Sequence, residues 1–109
     1  MIDLTKENYE AEVKQETAKP VVVDFWGPQC VPCMALKPKY HDMEHEFGDK
    51  VKFTAVDCST NKRVAMAFRV MGLPTFLFFK NGEEVKRLSK EECTEESIRA
   101  AIEELAKEA

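Results

Sequence analysis

Cys30-Val31-Pro32-Cys33 sets two thiols two residues apart, a spacing that lets the sulfurs close a small disulfide or supply half of a zinc site. The residues ahead of the pair read as a strand and those behind it as a helix. At a helix start, free backbone N–H groups and the helix dipole stabilise a thiolate. Cys30 is therefore the expected nucleophile, and Cys33 can attack a mixed disulfide formed at Cys30 and release the reduced substrate. Pro32 falls near the first helical turn, where its missing N–H costs little. The other chemistry-bearing residues are more scattered. Cys58 and Cys93 are expected to be small, buried, apolar side chains, because single cysteines commonly are. His41 and His45 have a spacing that can bind zinc, but both point away from the apolar stripe Leu36, Tyr40, Met43 and Phe47, so a solvated face is expected. Met34, Met66 and Met71 are expected to serve packing, with Met34 and Met71 near the cysteines.

The elements that must position the pair follow from the pattern on either side. A short apolar start, Ile2 to Leu4, leads to Thr5 as a candidate N-cap, then a helix with Tyr9 and Val13 four apart that ends before Lys19-Pro20. Val21-Val22-Val23-Asp24-Phe25-Trp26 is β-branched and aromatic between Pro20 and Gly27-Pro28, which describes a strand buried on both faces, with Asp24 its one misfit. A helix with Leu36, Tyr40, Met43 and Phe47 on one side should close at Gly48, with Pro38 kinking it. Val51 to Asp57 reads as a strand, and Ser59 can cap a helix holding Val64, Ala65 and Phe68. Gly72-Leu73-Pro74 breaks the chain before the strand Thr75–Lys80. Asn81-Gly82 then predicts a hairpin with Glu84–Ser89, paired antiparallel. The last helix starts at Thr94, with Glu95 and Glu96 complementing its dipole and Ile98, Ala101, Ile102 and Leu105 on one face. The order β-α-β-α-β-α-β-β-α predicts an α/β fold with a central mixed sheet and helices on both faces. No linker or repeat interrupts it, so residues 1–109 are expected to form a single domain.

A chain of 109 residues can build a core without disulfide staples. The opening Met1-Ile2-Asp3-Leu4-Thr5 carries no basic start and no apolar leader region, and no apolar run approaches the roughly 20 residues needed to cross a bilayer. The expectation is a cytoplasmic protein without a membrane span, in which a cysteine pair is more often catalytic, redox-sensing or metal-binding than structural. Sixteen Lys and Arg against twenty Asp and Glu give a net charge of −4, which aids solubility and argues against a nucleic-acid partner. Four scattered glycines form no dinucleotide fingerprint, so electrons must come from elsewhere.

Val23-Asp24-Phe25-Trp26 before the cysteines, Pro38 after them, and Gly72-Leu73-Pro74-Thr75-Phe76 downstream resemble, in order and spacing, the pattern of the thioredoxin family. A cysteine pair of this spacing beside a βαβ unit is the general mark of a thioredoxin-like redox motif, and the resemblance runs through the Asn81-Gly82 hairpin to the final helix. It implies the thioredoxin fold and a thiol-disulfide oxidoreductase that reduces protein disulfides. By it, Cys30 is the exposed nucleophile, Cys33 the buried resolving thiol and Asp24 a buried carboxylate exchanging a proton with Cys33. Such a carboxylate has a raised pKa and can act near neutrality. Pro74 resembles the family's cis-proline, with the backbone of Leu73 pairing with an extended substrate segment. Trp26, Gln29, Val31, Pro32, Gly72, Leu73 and Pro74 are the implied substrate-binding residues, with Met71 and Gly72 lining an apolar groove. The implied cofactor is none beyond the Cys30/Cys33 disulfide. The implied partners are disulfide-containing proteins and a separate thioredoxin reductase, with the chain acting as a monomer.

The sequence departs from the family at several positions. Gln29 stands where a tryptophan usually precedes the first cysteine, and Val31 where glycine is usual, so partner contacts are expected to differ and the loop to be stiffer. Phe53 occupies the place of a lysine that many relatives carry near the buried aspartate, so Asp24 is expected to lack a cationic neighbour. Leu88 to Thr94 lacks the usual groove-shaping glycine. Three other functions fit the residues: an oxidase or isomerase, which needs a less stable disulfide; a thioredoxin-like binding module with little redox turnover; and a metal site completed by Cys58, Cys93 or the histidines.

Overall fold

A computed structural model of the chain describes residues 1–107. Strand β1 (Ile2–Asp3) leads through turns and a five-residue π-type turn (Glu10–Lys14) to β2 (Val21–Trp26). There follow α1 (Val31–Phe47), β3 (Lys52–Asp57), α2 (Lys62–Ala67), β4 (Thr75–Lys80), β5 (Glu83–Ser89), a short 3-10 turn (Lys90–Glu92) and α3 (Glu95–Lys107). The five strands form one sheet in the order β1-β3-β2-β4-β5. β1, β3 and β2 are parallel, and both β4 on β2 and β5 on β4 are antiparallel. β2 is thus central, and Val21–Phe25 are paired on both sides.

A central strand must be apolar on both faces, and alternation along β2 divides its side chains between two cores. Val22 packs with Tyr40 and Met43 of α1, Phe76 and Phe78 of β4, and Ile98, Ala101, Ile102 and Leu105 of α3. Val21, Val23 and Phe25 pack on the other face with Leu4, Val13, Val64, Ala65, Phe68, Leu77 and Phe79. Burial of each large side chain contributes roughly 2 kcal/mol. Asp24 shares the pleat of Val22 and so projects beneath α1, where nothing else on the strand is charged. Tyr40 anchors α1 to that sheet face, its buried hydroxyl donating to the carbonyls of Thr54 at 2.7 Å and Val22 at 3.2 Å.

Several boundaries differ from the sequence reading. No α-helix follows Thr5. Asn8 Oδ1 accepts the Thr5 N–H, and the Gln15 N–H reaches back to the Glu10 carbonyl, five residues away. The Lys52 ammonium fixes this segment by donating to the Glu12 carbonyl and pairing with the Glu12 and Glu16 carboxylates. Ser59 does not cap α2. Its hydroxyl donates to Asp57 Oδ1 at 2.6 Å, and the helix starts three residues later at Lys62. Pro38 lies inside the uninterrupted helix α1. The hairpin is as expected, with Asn81 at φ 53° and Gly82 at φ 79°, the left-handed pair that a two-residue turn requires. Thr94 begins α3, accepting the Ser97 N–H at 3.0 Å while Ser97 Oγ accepts the Thr94 N–H, a reciprocal cap.

Candidate active site

Cys30 is the N-cap of α1. Its extended backbone ends the loop from β2, and its Sγ accepts the Cys33 N–H at 3.3 Å. One of the helix's unpaired N–H groups is thereby spent on sulfur, which is the contact that favours negative charge there in the reduced state. Cys30 is half-buried and Cys33 fully buried. The two are joined as a disulfide with their Cα atoms 5.2 Å apart. Pro32 takes the second helical position, and Val31 is 78% exposed.

Asp24 lies on the sheet face covered by α1 and is 1% exposed. Its Oδ1 is buried with no hydrogen-bond partner among the described residues, and so is Trp26 Nε1, two residues along the same pleat. Burial raises the Asp24 pKa from 3.8 to about 7, and the Lys37 charge pulls in the opposite direction. The expectation that Asp24 lacks a cationic neighbour is therefore corrected. Phe53 removes one such position, but Lys37 supplies charge from α1, its ammonium 3.6 Å above the Trp26 ring. Lys37 is legible in principle, since it lies four residues after Cys33 and hence on the same helix face.

Pro74 is buried and follows a cis peptide bond from Leu73. Its carbonyl accepts the Lys90 N–H at 2.8 Å, and Thr75 Oγ1 donates to the Gly72 carbonyl at 2.6 Å. These bonds fix the loop ahead of β4. A cavity of about 360 Å³ beside the disulfide is lined by Gln29, Cys30 and Leu73 with Gly27, Pro28 and Cys58. A larger one near the C-terminal ends of α1 and α3, about 590 Å³, contains no cysteine or histidine. Gly72 lies in a separate cavity with Met71 and Thr75, whose largely apolar walls also carry the side chains of Arg69, Arg87 and Lys90. Trp26, Val31, Pro32 and Pro74 line neither.

Cys58 and Cys93 are half-buried rather than buried. Cys93 Sγ donates to the Leu88 and Pro74 carbonyls, and Cys58 Sγ to the Val56 carbonyl. Burial pushes both thiols up to about 11, so neither is an appreciable nucleophile at neutral pH. His41 and His45 are exposed, and among the described residues no three His, Cys, Asp or Glu side chains cluster as metal ligands.

The family model described as Thioredoxin matches residues 1–104. The chain belongs to the thioredoxin family. It is similar to thioredoxin from Acetoanaerobium sticklandii, 39% identical over 102 residues that cover 94% of this chain and 96% of that one. Thioredoxin from Peptoclostridium acidaminophilum is 33% identical over 94% of this chain and 92% of its own. Among solved structures, Fasciola hepatica thioredoxin superposes with a TM-score of 0.87 at 32% identity, covering 96% of this chain and 99% of that one. The fold is the thioredoxin fold, and the Cys30–Cys33 disulfide is the redox-active group of a thiol-disulfide oxidoreductase. The activity is protein-disulfide reduction, with disulfide proteins as substrates and a reductase as partner. No helix among the described residues is long and apolar enough to cross a membrane.

Proposed function

We propose that Cys30 attacks and Cys33 resolves, with Asp24 carrying the proton between Cys33 and the leaving sulfur. Cys30 Sγ as thiolate attacks one sulfur of a substrate disulfide. A Cys30–substrate bond forms as the substrate S–S bond breaks, and the first substrate thiolate leaves and takes a proton from water. Asp24 then accepts the Cys33 thiol proton. Cys33 attacks Cys30 Sγ, and the second substrate thiolate leaves with that proton. The substrate gains two electrons and two protons, and the chain is left with the Cys30–Cys33 disulfide that a separate reductase must reopen. A carboxyl with a pKa of about 7 can accept and return a proton at neutral pH without a large penalty either way. The observation that carries this reading is the Cys33 N–H on Cys30 Sγ, together with a buried Cys33 on α1 and a buried, unpartnered Asp24 carboxylate whose charge neighbour, Lys37, is on the same helix.

In this reading Trp26, Gln29, Val31, Pro32, Gly72, Leu73 and Pro74 form the surface that receives substrate. The Leu73 N–H and C=O take no partner among the described residues, so both are open to an extended chain. Residues 1–109 act as one domain, as a monomer in the cytoplasm, carrying electrons without a bound cofactor, metal, nucleic acid or membrane. The test is Cys30→Ser with a disulfide substrate in excess and a dithiol reductant to recycle the protein. Loss of turnover is expected. Retained turnover would refute Cys30 as the attacking group, and partner function kept in cells after turnover is lost would make the chain a binding module instead.

A further inference from the structure

Lys90 holds φ 55° and Arg69 φ 58°, a left-handed backbone that side-chain-bearing residues seldom adopt. Both stand at the cavity of about 320 Å³ that flanks the loop before Pro74. The Lys90 N–H is bound to the Pro74 carbonyl, and its stem crosses Gly72 so closely that a β-carbon there would lie 2.6 Å from Lys90 Cε. The cavity is lined by three cations and no carboxylate. Arg87 is already occupied, paired with Glu84 and donating to the Phe68 and Arg69 carbonyls. Arg69 and Lys90 are exposed and have no ion-pair partner among the described residues. Beside them Met71 is 97% exposed. Glu84 is taken up by Arg87, and Glu91 and Glu92, which follow Lys90 in the 3-10 turn, form no ion pair with Arg69 or Lys90 among the described residues, Glu92 accepting the Ser89 N–H instead.

We propose that Arg69 and Lys90 select protein substrates carrying an acidic side chain close to the disulfide. This deepens the reductase reading and rests on it. An extended segment beside Leu73 advances about 3.3 Å per residue, and Gly72 lies two residues before Pro74. In this proposal a carboxylate about two residues from the attacked cysteine faces the two cations, while an apolar neighbour covers Met71. The overall charge of −4 would by itself favour basic substrates, so a preference for acidic ones can only come from this local patch.

The test compares kcat/KM for three disulfide peptides that differ only in Glu, Gln or Lys two residues from the cysteine. Wild type is expected to prefer Glu over Lys, with roughly two- to five-fold contributed by each cation, and the preference should shrink as salt is added. The double variant Arg69→Asn/Lys90→Asn keeps residues that tolerate a left-handed backbone, and its Glu-to-Lys ratio should collapse toward one. Equal rates for the Glu and Lys peptides in wild type would overturn the proposal, as would an unchanged ratio in the double variant. Failure to reduce any of the three peptides would overturn the reductase reading and this one with it.

Discussion

Replacing Asp24 by Asn should stabilise the oxidised protein, by an amount that grows with pH. The side chain is 1% exposed, and burial lifts its pKa from 3.8 to about 7. Below 3.8 the carboxyl is protonated whether the chain is folded or not, and burying it carries no ionisation penalty. Between 3.8 and about 7 the unfolded chain ionises while the folded one holds its proton, so stability falls as pH rises. One pH unit in that window costs about 1.4 kcal/mol, and the loss levels off at about 4 kcal/mol once the folded state ionises as well. The Asn variant has no such loss. Urea unfolding of both proteins, with the Cys30–Cys33 disulfide intact so that those thiols do not titrate, gives the difference at each pH. Any fixed cost of the buried amide cancels in the trend. The gap between variant and wild type should widen by about 4 kcal/mol from about pH 4 to about pH 8. A gap constant to within about 1 kcal/mol would refute the reasoning, because Asp24 would then not be a desolvated carboxylate.

Other substitutions probe the neighbouring groups. Lys37→Met keeps the stem over Trp26 and removes the charge that opposes burial at Asp24. The Asp24 pKa, followed by carbon NMR of its carboxyl, should rise above its wild-type value, and no change would dismiss Lys37 as its neighbour. Cys58 and Cys93, with pKa values of about 11, should alkylate in the native protein roughly a hundred-fold more slowly than an unperturbed thiol at neutral pH. Mass spectrometry of timed quenches reads this, and equal rates would show them to be accessible thiolates. Gly82→Ala meets a positive φ and the Lys14 carbonyl oxygen, so it should cost at least about 2 kcal/mol in urea unfolding.

The parts of the fold that local pattern determines were legible, and those set by distant contacts were not. The apolar run Val21–Trp26 and the Asn81-Gly82 turn carry their own geometry, and both fall where expected. The antiparallel pairing begins earlier than the hairpin alone requires, since β4 already runs against β2. The segment after Thr5 differs because Lys52, on a strand 40 residues from Glu12, binds its backbone. Ser59 differs because Asp57 competes for its hydroxyl. At the site, the cysteine pair, Asp24 and Pro74 are readable from spacing and family likeness. The sheet offers no cation at Phe53, and the charge beside Asp24 comes instead from α1. The absence of a glycine between Leu88 and Thr94 is plain in the sequence. That Lys90 takes up a left-handed backbone and lies over Gly72 depends on a loop contact that no local pattern encodes.

The order of attack is tested most directly by reducing Cys33→Ser, mixing it with a disulfide substrate and digesting the product under acid for mass spectrometry. The expected result is a stable mixed disulfide on Cys30, accumulating to one per chain because nothing remains to resolve it, while Cys30→Ser yields no rapid adduct. An adduct on Cys58 or Cys93, or one that forms equally fast on Cys33 in Cys30→Ser, would contradict the assignment.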